Sequence, residues 1–294
     1  MHAIQLLVFG LGYTGAAIAG AAAAAGARVV ATSRTPGRLT PPPGVELIGF
    51  DAAAPTLLAA THVLQTAPPE ESGDPALLRF SRRGAPSWVG VLSTTGVYGD
   101  RGGAWVDEDT APAPTGPRGL RRLLAEQAWS AAYPAAKVDL FRVAGIYGPG
   151  RSVLDDVRAG RARRVDAAGH LFGRIHRDDI TAAVLAAMVQ GRPPGPRVLN
   201  LNDDAPAANM DVVAEAARLL GAPLPPLVPL DQALAAMTPM GRSFWAENRK
   251  VASRKTQERL GLAWGYPTYR EGLAAILAAE GSQTAANAVP NEQR

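Results

Sequence analysis

At 294 residues, 47% of them hydrophobic, the chain is long enough to bury a large core, and one large domain carrying a smaller cap is the expected layout. There is no cysteine, which excludes disulfides, thiol nucleophiles and zinc–thiolate sites, and His2, His62, His170 and His176 lack paired-ligand spacing, so no metal centre is expected. A net charge of +4 is mildly basic and aromatic residues make up only 6%, so an anionic small ligand explains the arginines at least as well as nucleic acid does.

Ile4 to Phe9 is an apolar run, too short for the core of a signal sequence, and it breaks into Gly10-Leu11-Gly12-Tyr13-Thr14-Gly15. The Ala16 to Ala25 tract reads as a soluble helix abutting Gly26 rather than a membrane span, and a cytoplasmic protein is expected. A second run, Arg28 to Thr32, stops at Ser33-Arg34. Strand, glycine turn, helix and strand in this order form the context in which GxGxxG cradles a pyrophosphate. Gly10 allows the tight turn, Gly12 lets backbone N–H groups approach the phosphates at a helix N-terminus, and Gly15 lets helix and strand pack closely. An NAD site usually puts Asp or Glu at the end of the second strand. Ser33 and Arg34 suit a 2′-phosphate instead, so NADP is expected ahead of NAD. Tyr13, Thr14, Asp51, Thr66 and Ser93 complete the expected cofactor site.

Val45 to Gly49, His62 to Thr66 and Trp88 to Leu92 read as strands three to five. Their alternation with helical segments predicts an α/β fold, a doubly wound parallel sheet of Rossmann type. Arg118 to Ala132 has apolar residues at Leu120, Leu123, Leu124, Ala128 and Ala131, the spacing of a helix stripe, and Val138 to Val143 follows as a sixth strand. Pro and Gly punctuate Gly145 to Gly150, and Arg151 to Arg164 carries five arginines that either clamp phosphates or form a solvated basic face. A helix from about Asp178 to Val189, a strand at Val198 to Leu201 and helices from Met210 and Tyr269 come next. Gly281 to Arg294 is polar and aperiodic, as in a disordered tail. The expected division is a cofactor domain over 1–203, with about 145–172 contributing to the cap, then a substrate cap over 204–280 and a tail over 281–294.

Three segments carry a resemblance: Leu92-Ser93-Thr94-Thr95-Gly96-Val97-Tyr98-Gly99-Asp100, Arg142-Val143-Ala144-Gly145-Ile146-Tyr147-Gly148-Pro149-Gly150-Arg151, and Ile175-His176-Arg177-Asp178-Asp179-Ile180. In sequence order after the glycine turn, they resemble the signature segments of the extended short-chain dehydrogenase/reductases, the family of nucleotide-sugar epimerases and dehydratases. The resemblance covers roughly residues 4 to 280, since Leu260-Gly261 and Gly272-Leu273 are similar to the family's C-terminal cap. It implies that Thr94 orients a substrate oxygen. It also implies a Tyr and a Lys in YxxxK, which exchange and tune the proton. Here Arg118 and Arg122 stand at those two positions, and arginine, charged at any working pH, replaces neither as acid or base. Thr95-Gly96 stand where the family's dehydratases have Asp-Glu, which argues against sugar dehydration. Phe9 stands where the extended branch usually has its first glycine, so the resemblance is to active-site-depleted members.

Two functions remain open. One is an NADP-dependent oxidoreductase or epimerase-like enzyme acting on a carbonyl or hydroxyl compound, with Thr94 orienting the carbonyl, Tyr98 or a water donating the proton, and Arg118 or Arg122 supporting developing charge. The other is a catalytically silent NADP-binding sensor of cofactor level or redox state. Tyr147 reads as closing a core edge, His176 as opening a helix, and Arg122 with Glu126 as at most a surface ion pair. The expected partner is a small molecule, with an anionic one left open, and neither nucleic acid nor membrane is expected; a homodimer is left open.

Overall fold

The computed structural model describes residues 1 and 3–287, so the expectations for His2 and for the tail beyond residue 287 lie outside the described residues. The N-terminal half alternates as read: β1 (Gln5–Phe9), α1 (Tyr13–Ala24), β2 (Arg28–Ser33), β3 (Val45–Gly49), α2 (Ala54–Ala59), β4 (His62–Gln65), α3 (Pro75–Arg79) and β5 (Trp88–Thr94). A short β6 (Trp105–Val106) precedes α4 (Pro117–Ala132) and β7 (Lys137–Val143). Then come β8 (Gly145–Tyr147), α5 (Val153–Arg158), β9 (Arg164–Asp166), β10 (Arg174–His176), α6 (Arg177–Val189) and β11 (Gly195–Leu201). The chain continues through α7 (Asn209–Leu220), β12 (Leu227–Pro229), α8 (Leu230–Ala236), α9 (Pro239–Trp245), β13 (Lys250–Val251), α10 (Arg254–Leu260) and α11 (Tyr269–Asn287). Residues 281–287 thus continue the last helix instead of starting a tail, a correction to the sequence reading.

Seven strands form one parallel sheet in the order β11-β7-β5-β4-β1-β2-β3. The chain winds outward in both directions from β1, and the crevice at the C-terminal ends of β1 and β4 is where such sheets bind ligands. The period-two geometry of a strand divides the core: Leu6 and Val8 of β1 join the cluster beneath α1 and α6, while Leu7 and Phe9 join the cluster on the opposite face. Phe9, in the place of the family's glycine, packs with Phe80, Phe50 and Trp129 at ring centroid distances of 5.9, 6.1 and 6.3 Å. A third cluster, around Tyr147, Leu154, Val212, Tyr269, Leu273 and Ile276, joins α5, α7 and α11 above the sheet. Leu260 and Trp264 return to the sheet's own core, so the segment after residue 203 packs partly on the sheet.

Helix α4 departs from its expected orientation. Leu120 and Leu124 are 48% and 53% exposed, and Ala128 and Ala131 also face outward. The inward positions are Gly119, Ala125, Glu126 and Trp129. Glu126 is no surface partner of Arg122: its carboxylate accepts two hydrogen bonds from Arg142 of β7, at 3.2 and 2.8 Å, with both side chains buried. Leucine counting missed this face because a buried ion pair, Gly119 and one large aromatic occupy it.

Candidate functional site

The glycine turn is shaped as its residues require. Gly10 has φ +97°, and a Cβ on Gly15 would lie 2.5 Å from the Gly10 carbonyl oxygen, so helix and turn meet only without a side chain. Gly12 precedes α1, and a Cβ there would meet nothing within 4 Å: the turn opens onto free space at a helix N-terminus. Thr66 fastens β4 to the turn by donating to the Phe9 and Gly10 carbonyls.

A cleft of about 690 Å³ begins at this turn. Gly10, Gly12, Tyr13, Thr14, Gly15, Ser33, Arg34, Thr66 and Ser93 all line it. At its far end stand Leu92, Ser93, Arg122, Val143, Ile146 and Arg151. The Ser93 hydroxyl is buried there without a hydrogen-bond partner. Asp51 is a correction. It sits just past the end of β3 but turns outward to Arg79 at 2.7 Å, and Phe50 lines the cleft beside it. Arg34 lines the cleft with its side chain 78% exposed, and its Nη1 donates to Glu70 at 2.9 Å. Glu70, on the loop after β4, is a lining residue that no sequence spacing indicated.

Tyr13 reaches across the cleft and donates to the Pro149 carbonyl at 3.0 Å, with the Arg151 and Arg177 guanidiniums 5.6 and 5.0 Å from its ring. Its pKa is raised, chiefly by burial. The other arginines of Arg151 to Arg164 are committed locally: Arg158 to Glu280 and Asp155, Arg161 to Asp156, and Arg163 and Arg164 to backbone carbonyls.

The four candidate catalytic residues separate. Thr94 ends β5, and its Oγ1 accepts from the Gly96 N–H at 3.1 Å, capping the 3-10 turn Thr95–Tyr98. Tyr98 is a correction: it is fully buried, does not line the cleft, and donates to Asn200 Oδ1 at 2.8 Å. Burial pushes its pKa up, and its proton is directed to Asn200, away from the cleft. Arg122 donates to the Leu92 carbonyl at 2.8 Å, and burial followed by the charge of Arg118 lowers its pKa. Arg118 lies outside, its guanidinium 4.9 Å from the Phe244 ring centre. Tyr147 and His176 are structural, as read. Tyr147 closes the third core cluster with its pKa raised by burial. His176 caps α6, its Nδ1 accepting from the Asp178 N–H at 3.2 Å. The sequence reading missed Arg249, whose Nη1 donates to the Gly99 carbonyl and to Glu247 beside this turn. It lies about 150 residues from its partner, where no local periodicity links the two.

Comparison with solved structures places this arrangement. The chain is 42% identical to a conserved protein of unknown function from Silicibacter pomeroyi, covering 94% of this chain and 98% of that one with a TM-score of 0.81. It shares its fold with a human epimerase family protein solved with NADPH, at 20% identity, TM-score 0.75, 93% of this chain and 99% of that one. The same holds for a UDP-glucuronic acid 4-epimerase from Bacillus cereus solved with NAD, at 16% identity, TM-score 0.72, and 97% and 99% coverage. The chain shares the fold of NAD-dependent epimerase/dehydratase family members, which is consistent with the resemblance to the extended short-chain dehydrogenase/reductases. No protein-family model and no curated protein matches it. Beside these folds, the chain has the parallel sheet, the glycine turn and the threonine turn described above, with Arg118 and Arg122 on α4.

Proposed function

We propose that the chain binds a nicotinamide dinucleotide in the cleft, NADP ahead of NAD, and acts as an oxidoreductase or epimerase-like enzyme on a small carbonyl or hydroxyl compound. The cleft carries this reading: it runs from an open glycine turn at a helix N-terminus, past Ser33 and Arg34, to the orphaned Ser93 hydroxyl at the end of β5. Neighbouring folds solved with NADPH and with NAD support it. The residues fit the group: the α1 N-terminus for the pyrophosphate, Ser33 and Arg34 for the 2′-phosphate, and Arg122 for the ribose beside Leu92 and Ser93. When bound, the cofactor supplies a hydride or accepts one.

The protein's own contribution is orientation and charge. Ser93 presents its hydroxyl to the cleft at the end of β5, beside Thr94, whose Oγ1 caps the following turn, and the Arg122 cation supports negative charge developing on a substrate oxygen. Apart from Tyr13, which lies against Arg151 with its hydroxyl donated to the Pro149 carbonyl, the far-end lining residues offer no phenol, imidazole, amine or carboxyl group, so a proton at the reacting oxygen comes from a hydroxyl or from water. That same feature favours a second reading, a silent cofactor sensor.

Gly12→Val tests the cofactor site. Its Cβ has room, so the unliganded melting point should stay near wild type while NADPH fluorescence enhancement disappears. Unchanged enhancement in the variant would sink the cofactor assignment. A screen of carbonyl compounds and nucleotide-sugars for NADPH oxidation or epimerised product then separates the two readings. Turnover supports the enzyme. No turnover, with redox-dependent binding to another protein, replaces it with the sensor.

A further inference from the structure

Arg122 and Arg249 flank the turn Thr94 to Gly96, Arg118 stands on the exposed side of α4 close enough for its charge to act on Arg122, and the carboxylates of Glu247 and Asp100 lie on the Arg249 side. Among the described residues, Arg122 hydrogen-bonds only the Leu92 carbonyl. Glu126, one turn along, is committed to Arg142, and Asp74 to Gln65 and to the N–H groups of α3. Arg118 makes no hydrogen bond among the described residues and rests on Phe244. Its neighbour Gly119 is pressed against the turn, since a Cβ there would lie 2.6 Å from the Gly96 carbonyl oxygen. Arg249 arrives from the cap side. Its Nε is buried without a partner, and its Nη2 lies 3.9 Å from where a Cβ on Gly96 would stand. Its ion-pair partner Glu247 also accepts from the Thr115 hydroxyl, and Asp100 stands near enough to share its charge.

Like charges held together at a partly desolvated turn repel, and the lowered pKa of Arg122, caused in part by Arg118, is one sign of it. An anion at the centre of the group removes that penalty, and guanidinium forks match carboxylate or phosphate oxygens in pairs. We propose that this group recognises an anionic substituent of the substrate, a carboxylate or a phosphate, seated beside Thr94, with Arg118 and Arg249 as the residues that select it. The proposal rests on the cofactor reading of the adjoining cleft and adds the substrate class. It also accounts for arginine where the family's tyrosine would stand: the position binds charge in place of moving a proton.

The test titrates malonate, its neutral isostere malonamide and inorganic phosphate by calorimetry at fixed ionic strength, into protein with and without NADPH. Saturable binding of malonate or phosphate, with malonamide roughly tenfold weaker or worse, is expected, and whichever anion binds tighter identifies the substituent. Arg118→Met and Arg249→Met should each weaken the anion by roughly tenfold, with NADPH affinity unchanged. Arg158→Met, which removes a guanidinium paired elsewhere, should change neither. Arg118 is on the surface, so its variant reports even where Arg249→Met lowers the melting point. Absence of anion binding, equal affinity for malonamide, or indifference to both variants overturns the proposal. Anion binding without NADPH binding overturns the cofactor reading and leaves this one standing.

Discussion

Arg34 has a partner before any ligand arrives. Its pairing with Glu70 is exposed, so the pair contributes little to stability, but it decides what the end of β2 offers a ribose. A 2′-phosphate must draw Arg34 off Glu70 and then tolerate that carboxylate nearby. Glu70→Gln should therefore raise affinity for NADP several-fold and leave NAD nearly unchanged. Arg34→Ala should cost NADP roughly tenfold, about 1.4 kcal/mol. Calorimetry with both cofactors on the three proteins checks this, and a wild type that prefers NAD would reverse the assignment. Tyr98 teaches the converse lesson. It stands in a signature segment, yet its hydroxyl is spent on Asn200 beneath the sheet edge, so its position in the sequence said nothing about its direction.

At the scale of elements, α4 is pinned by Glu126 and Arg142, and a buried pair is far costlier to break than to replace. Glu126→Gln should lower unfolding free energy by ~3–5 kcal/mol, while Glu126→Leu combined with Arg142→Met should recover much of it. Urea midpoints of the single and double variants decide. The loop after β11 carries a second buried acid, Asp203, whose pKa burial pushes up to about 7 despite the nearby Arg174 guanidinium. Between about pH 4 and 7 the folded chain keeps a proton that the unfolded chain has lost. Stability should therefore fall as pH rises through that window, by no more than ~4 kcal/mol, and level off above it. Asp203→Asn should remove this slope, seen as a smaller difference between urea midpoints at pH 5 and pH 8. Strands β1 to β5 and β7 were legible because continuous apolar runs mark buried parallel strands. The pairs β8–β10, β9–β12 and β6–β13 were not, being two or three residues long and defined only by distant partners. The α4 face was misread because its inward positions include an arginine's route to a backbone carbonyl and a buried glutamate.

Over the whole molecule, the glycine turn and the threonine turn meet because β1, β4 and β5 lie side by side, so the glycine-turn half of the cleft followed from strand order and was readable in advance. The cap half was not. Arg249 and Phe244 reach the site from more than a hundred residues away, through a chain path that periodicity does not encode. Tyr13 adds a consequence in time. Its hydroxyl ties the start of α1, which lines the cleft, to the Pro149 carbonyl 136 residues later, two residues before the lining Arg151. A molecule held beneath such a clasp leaves only when the clasp parts, so the bond sets residence time more than capture. In stopped-flow measurements, Tyr13→Phe should speed NADPH dissociation several-fold and barely change its association rate. Equal off-rates would show the clasp to be idle. A slow wild-type off-rate would make the cofactor a near-permanent occupant, recharged in place by successive small molecules instead of exchanged at every cycle.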